Sequence, residues 1–166
     1  MAYLIGIPIL ILLAIVQSTI LSNLRLLDGS PDLVLLAVVA WALTKHPRQA
    51  MILGLIGGLA TDLLSGMPLG VSGAIMVGIA FVVSLVAGRF WEAHFLIPIA
   101  TVLGASIVYQ GLLMVALLVM GQPIDPAYSV GRVLLPSAFL NLLLALPAAQ
   151  AAASLSDTLY PPEVQI

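Results

Sequence analysis

Residues 63–88 read LLSGMPLGVSGAIMVGIAFVVSLVAG, and no Asp, Glu, Lys or Arg interrupts them. A turn sits near the front, at Ser65-Gly66 and Pro68, and an unbroken apolar run follows. A membrane helix needs about 20 such residues to cross a hydrocarbon core of roughly 30 Å. Residues 1–24 and 133–156 are equally free of these charges, and residues 93–124 carry only His94. Lipid cannot satisfy unpaired backbone groups, so runs of this length predict helices rather than an open sheet. A barrel needs alternating polarity along each strand, and residues 33–40, LVLLAVVA, show none.

Composition points the same way. Hydrophobic residues make up 62% of the chain and charged residues 7%, with a mean hydropathy of +1.22. A soluble domain carries roughly 25% charged residues, so these charges are too few to coat a water-facing surface. The reading is an all-α, polytopic transmembrane bundle of about six helices, one domain over residues 1–156 with a short tail over 157–166. The first segment reads as a retained helix: it has no basic stretch ahead of its apolar run, and no small-x-small cleavage site follows.

Helix 1 is expected over about Tyr3–Leu21. Helix 2 has Ser30 as its N-cap, Pro31 at the first helical position and Asp32 in the first turn, and ends near Thr44. That is roughly 14 residues, or about 21 Å, short for a full crossing. Helix 3 begins near Pro47 and stops at Ser65-Gly66. Pro68 suits the first turn of helix 4, which reaches Gly88. Phe90 and Trp91 form an interfacial pair in the link Arg89–Glu92. Helix 5 spans His94–Met120. Pro123, Asp125 and Pro126 mark a loop over Gly121–Val130. Helix 6 covers Arg132–Ala153, with Pro136 near its start and Pro147 as a kink. The tail, with Pro161-Pro162, is expected to be disordered or to lie on the surface. Lys45, Arg48 and Arg89 outnumber Arg25 and Arg132 across the links, which places both termini in the cytoplasm.

Asp62 is the one acidic or basic residue inside a predicted span, and burying such a group is expensive. Three roles stand open for it: a structural hydrogen bond, a partner contact, or a proton or ion relay. Gly54, Gly58 and Asp62 recur at i, i+4 and i+8, beside Gly57, on one helical face. Small residues at that spacing let another helix approach closely. Ser65, Gly66 and Gly70 continue the set into the turn. Ala80, Ser84 and Gly88 form a similar stripe on helix 4, and the partner of either stripe is internal or another chain. Gln17, Gln110 and Asn141 are the other buried polar groups. Ser106 shares a face with Gln110, and Ser137 with Asn141. Interhelical bonds, or a polar substrate pocket, are the readings for these residues.

Enzyme chemistry is poorly supplied. The chain has no cysteine, so disulfides, thiolate metal sites and cysteine nucleophiles fall together. His46 and His94 lie at predicted helix ends without the carboxylate–histidine spacing of a metal site. Asp28 and Asp32 form an acidic pair, but Asp32 is explained as a helix-start residue. No phosphate-binding glycine loop, Ser-His-Asp order or lysine nucleophile within a span is present. The net charge of −2, with no basic tract, predicts no nucleic-acid partner. Neither a cofactor nor a small-molecule substrate is expected.

The ordered set of these residues resembles a known family. Gln17-Ser18-Thr19 closes helix 1, and Ser30-Pro31-Asp32-Leu33 opens helix 2. Next come Gly54, Gly58, Asp62-Leu63-Leu64-Ser65-Gly66 and Pro68-Leu69-Gly70. Leu135-Pro136-Ser137, Asn141 and Ala145-Leu146-Pro147 mark helix 6. In spacing and order this resembles the bacterial rod shape-determining protein MreD family, over nearly the whole chain. The resemblance implies a non-enzymatic inner-membrane protein of the cell-elongation (Rod) complex. It implies binding to MreC, whose single membrane helix leads to a periplasmic domain that regulates a peptidoglycan transpeptidase and the RodA glycosyltransferase. It also implies MreB on the cytoplasmic side. The implied fold is similar to the six-helix substrate-binding subunits of energy-coupling-factor vitamin transporters, and such a subunit is the alternative function. The acidic tail departs from the family pattern, lacking the basic cluster often found there.

Overall fold

The computed structural model describes residues 2–21, 28–44, 46–90 and 96–160. Among these residues there are six helices and no strand. Helix α1, Ala2–Val16, runs on through a π-helical turn, Gln17–Leu21. Then come α2 (Leu33–Ala42), α3 (Pro47–Ser65), α4 (Val71–Phe90), α5 (Leu96–Val119) and α6 (Pro126–Leu159). Helices α5 and α6 are long and apolar enough to cross a membrane. Arg25, Lys45, Trp91, His94 and Pro161-Pro162 lie outside the described residues.

The expected start of α2 and both expected ends of α6 move. Asp32, not Ser30, caps α2: its Oδ1 accepts from Leu35 N at 3.0 Å, so the helix starts at Leu33 rather than Pro31. Residues 30–32 are held instead against α6, with Ser30 N donating to Ser137 Oγ at 3.2 Å and Asp32 N to Asn141 Oδ1 at 2.7 Å. Helix α6 begins at Pro126 rather than Arg132 and continues to Leu159 rather than Ala153. Asp125 caps it through Ala127 N at 2.9 Å, and Pro126 occupies the first helical position. The pair read as a loop is thus a helix start. Pro136 is accommodated by a π-helical turn over Val130–Leu134. Because Pro136 has no N–H, the Arg132 carbonyl lacks its usual helical donor, and it accepts from Asp28 N at 3.2 Å.

Helix α2 is the centre of the core. At 10 residues it is only about 15 Å long, yet Val34, Leu35, Val38, Val39 and Ala42 are all buried. Its neighbours therefore shelter it. Helices α3 and α4 form a tight hairpin on one side, α6 packs on the other, and α1 lies alongside α3. Gly6 meets Leu53, while Gln49, one turn before Leu53, binds Tyr160 just past α6. The start of α1 and the end of α6 therefore lie at the same end of the bundle. The outer faces are as apolar as the core: Leu4, Leu63, Leu85, Val119 and Leu143 are among the most exposed side chains. Faces of this kind suit lipid as their solvent.

Candidate functional site

Three features make up the candidate site: a glycine contact between α3 and α4, a buried polar seam, and apolar grooves on the outside. The glycine face of α3 meets helices of its own chain. A Cβ on Gly58 would lie 2.4 Å from Gly73 Cα, so here two backbones touch. On Gly54 it would reach Met76 O at 3.2 Å, and on Gly57 it would meet Val34 Cγ1 at 2.7 Å. Gly66 ends α3 in the left-handed region with φ 68°, its N–H donating to Asp62 O. Gly70, with φ 95°, turns the chain into α4. Ser65 is exposed and donates back to Thr61 O at 2.6 Å.

Asp62 is fully buried and caps the next helix. Its Oδ2 accepts from Gly70 N at 2.8 Å, and both carboxylate oxygens accept from Ser72 N at 3.2 Å. These amides open α4, where the helix dipole favours negative charge. The carboxylate is thus held by backbone donors at a helix start. Of the roles open for Asp62, this geometry supplies the structural hydrogen bonds.

The seam continues from there across the bundle. Ser72 Oγ accepts from Tyr109 Oη on α5 at 3.1 Å. One turn away on α5, Ser106 Oγ accepts from Asn141 Nδ2 on α6 at 3.0 Å. Asn141 Oδ1 in turn receives Asp32 N, and Gln17 Oε1 on the α1 extension accepts from Val34 N at 3.2 Å. Both Asp32 and Asp62 therefore hold a buried helix start in place, and Asn141 uses both ends of its amide. Among the described residues, no buried side-chain nitrogen or oxygen lacks a partner. Pro31 is buried beside Asp32. Gln110 stands apart, lining a small cleft of about 140 Å³ between α5 and α6 with Met114, Ser129 and Val133. Sequence reasoning passed over Tyr109 and Ser72. A tyrosine in an apolar run carries no periodic signal, and its partner is on another helix.

Two larger grooves open on the outside. The first, about 390 Å³, lies between α1 and α6 with α2 as its floor; Leu10, Leu13, Leu36, Trp41, Pro147 and Ala152 line it. The second, about 760 Å³, separates α4 from α5 and is lined by Ala74, Gly78, Val82, Ala100, Gly104 and Val108. Unlike Gly58, Gly78 and Gly104 have no atom of a neighbouring helix within 4 Å of where a Cβ would stand.

The family described as rod shape-determining protein MreD matches residues 1–148. The chain belongs to the MreD family. Membership assigns it a role in rod shape determination. No curated protein matches the chain, and no solved structure does. The MreD match takes in Gln17, Asp32, the α3–α4 hairpin and Asn141, and it ends within α6, before that helix's last turns.

Proposed function

We propose that this MreD-family chain is a non-enzymatic membrane scaffold of the Rod complex that binds the single membrane helix of MreC and helps position peptidoglycan synthesis. In this reading it sits in the bacterial inner membrane, crosses it six times with both termini in the cytoplasm, and works with RodA, a transpeptidase and MreB. The observation that carries the reading is the division of polar and apolar groups. Among the described residues the buried polar side-chain atoms are paired within the bundle, and the outside offers apolar faces and grooves. In lipid, helices associate through close packing of small residues, and the α4–α5 groove has Gly78 and Gly104 on opposite walls with room beside them. A vitamin-binding subunit needs several convergent polar or aromatic groups in its pocket. The two large grooves are lined mainly by aliphatic side chains, with Trp41 and Thr101 as exceptions.

The test is affinity purification of the tagged chain from detergent-solubilised native membranes, with identification of the proteins that come with it. MreC is the expected companion, and Gly78→Leu or Gly104→Leu should lower its recovery while the chain's own abundance holds. Absence of MreC at full abundance of the chain would sink the proposal.

A further inference from the structure

One cluster at the end shared by Gly6 and Tyr160 takes no part in the seam. Tyr160 ends α6, and its phenol oxygen accepts from Gln49 Nε2 at 2.6 Å. Its ring stacks on His46, with centroids 4.4 Å apart and planes at 28°. Gln49 Oε1 accepts from Trp41 Nε1 at 3.3 Å, and Thr44 Oγ1 lies 3.4 Å from His46 Nδ1. The C-terminal end of α6 is thereby fastened to the α2–α3 link.

Between this fastening and the rest of α6 lie a proline and mostly small core contacts. Pro147 stands inside the helix, lacks an N–H, and so leaves the Leu143 carbonyl without its helical donor, the usual origin of a bend. Beyond it the side chains turned to the core are mostly small, Ala148, Ala149 and Ala152, with Leu155 and Leu159 as the larger contacts. In lipid such packing rests on dispersion, which scales with the atoms in contact. The same segment forms one wall of the α1–α6 groove, to which it contributes Pro147, Ala148, Ala152 and Leu155, and Trp41 of the fastening lines that groove too.

We infer that the part of α6 beyond Pro147 is a hinged wall of the α1–α6 groove, latched shut by Tyr160 on His46 and Gln49. The latch sets the width of the groove, and its release lets the wall swing about Pro147. The arm from Pro147 to Asp157 is about 15 Å long, and a bend of about 20° moves its end by roughly 5 Å.

The natural absence of cysteine allows paired spin labels at Leu4→Cys and Asp157→Cys, both exposed positions, in the full chain in lipid bilayers. Pulsed electron paramagnetic resonance should give a narrow distance distribution with the latch intact. Tyr160→Ala should broaden it and shift its mean by about 5 Å. Tyr160→Phe, which keeps the stacked ring but not the acceptor oxygen, should give an intermediate result. A control pair at Leu4→Cys and Leu143→Cys, before the hinge, should not change. Adding Pro147→Ala to Tyr160→Ala restores the missing N–H and should narrow the distribution again. An unchanged distribution in Tyr160→Ala, equal broadening of both pairs, or broadening that survives Pro147→Ala would each overturn the inference.

Discussion

Replacing Gly58 with Ala places a methyl carbon 2.4 Å from Gly73 Cα, 2.5 Å from Gly73 N and 2.7 Å from the Ser72 carbonyl carbon. All three are backbone atoms, so no rotamer relieves the overlap. Reaching an ordinary contact of roughly 3.5 Å requires α3 and α4 to separate by about 1 Å. Asp62 lies one turn further along, and its bonds to Ser72 N are already 3.2 Å long. A shift of about 0.5 Å takes them beyond hydrogen-bond range. Overpacking costs about 1–3 kcal/mol, and a buried amide left without an acceptor costs about 1–3 kcal/mol more. Gly58→Ala should therefore destabilise the chain by roughly 2–6 kcal/mol and lower its melting temperature in detergent by roughly 4–24 °C. Gly78→Ala is the control: nothing lies within 4 Å of the added carbon. Ala is also the better helix former by about 1 kcal/mol, so that variant should melt at or slightly above the parent temperature. The assay is the temperature at which half of the purified protein still elutes as a single species on size exclusion. Equal melting of the two variants would refute the reasoning.

Asp62→Asn keeps one acceptor oxygen but turns an NH₂ group toward the remaining backbone donors, which should cost about 1–3 kcal/mol. Asp62→Leu removes both acceptors and should melt lower still; a Leu variant as stable as the parent would refute the capping role. Tyr109→Phe loses one bond to Ser72 and should cost about 0.6 kcal/mol. Asn141→Leu leaves Asp32 N without its acceptor and should cost at least 1 kcal/mol more; the reverse order would contradict the seam. For orientation, an impermeant thiol reagent applied to intact cells should label Ser129→Cys and leave Lys45→Cys unlabelled. The opposite pattern would refute cytoplasmic termini.

Much of the bundle was legible in the sequence because lipid imposes a length rule. Charge-free runs located the helices, while Pro47 and Gly66 marked both ends of α3. The start of α2 is tied to contacts distant in sequence, whereas the start of α6 is set locally. Ser30 is as good a cap residue as Asp32 in isolation, but its N–H is held by Ser137 across the bundle and Asp32 takes the cap. The start of α6 was hidden because a proline after an aspartate serves both loops and helix starts. The Gly54, Gly57 and Gly58 face was visible as a stripe, but what it meets was not, since Gly73 and Met76 carry no mark of their own in an apolar run. The spacing of Ser106 and Gln110 paired them on one face. Only the packing shows that Ser106 meets Asn141 while Gln110 faces a separate cleft.

The central claim is that the chain holds a protein partner rather than a small molecule. Native mass spectrometry of the complex released from membranes tests it most directly. The account predicts a species whose added mass is that of MreC, with no vitamin-sized ligand retained. A species that carries a stoichiometric small molecule and no MreC would contradict it.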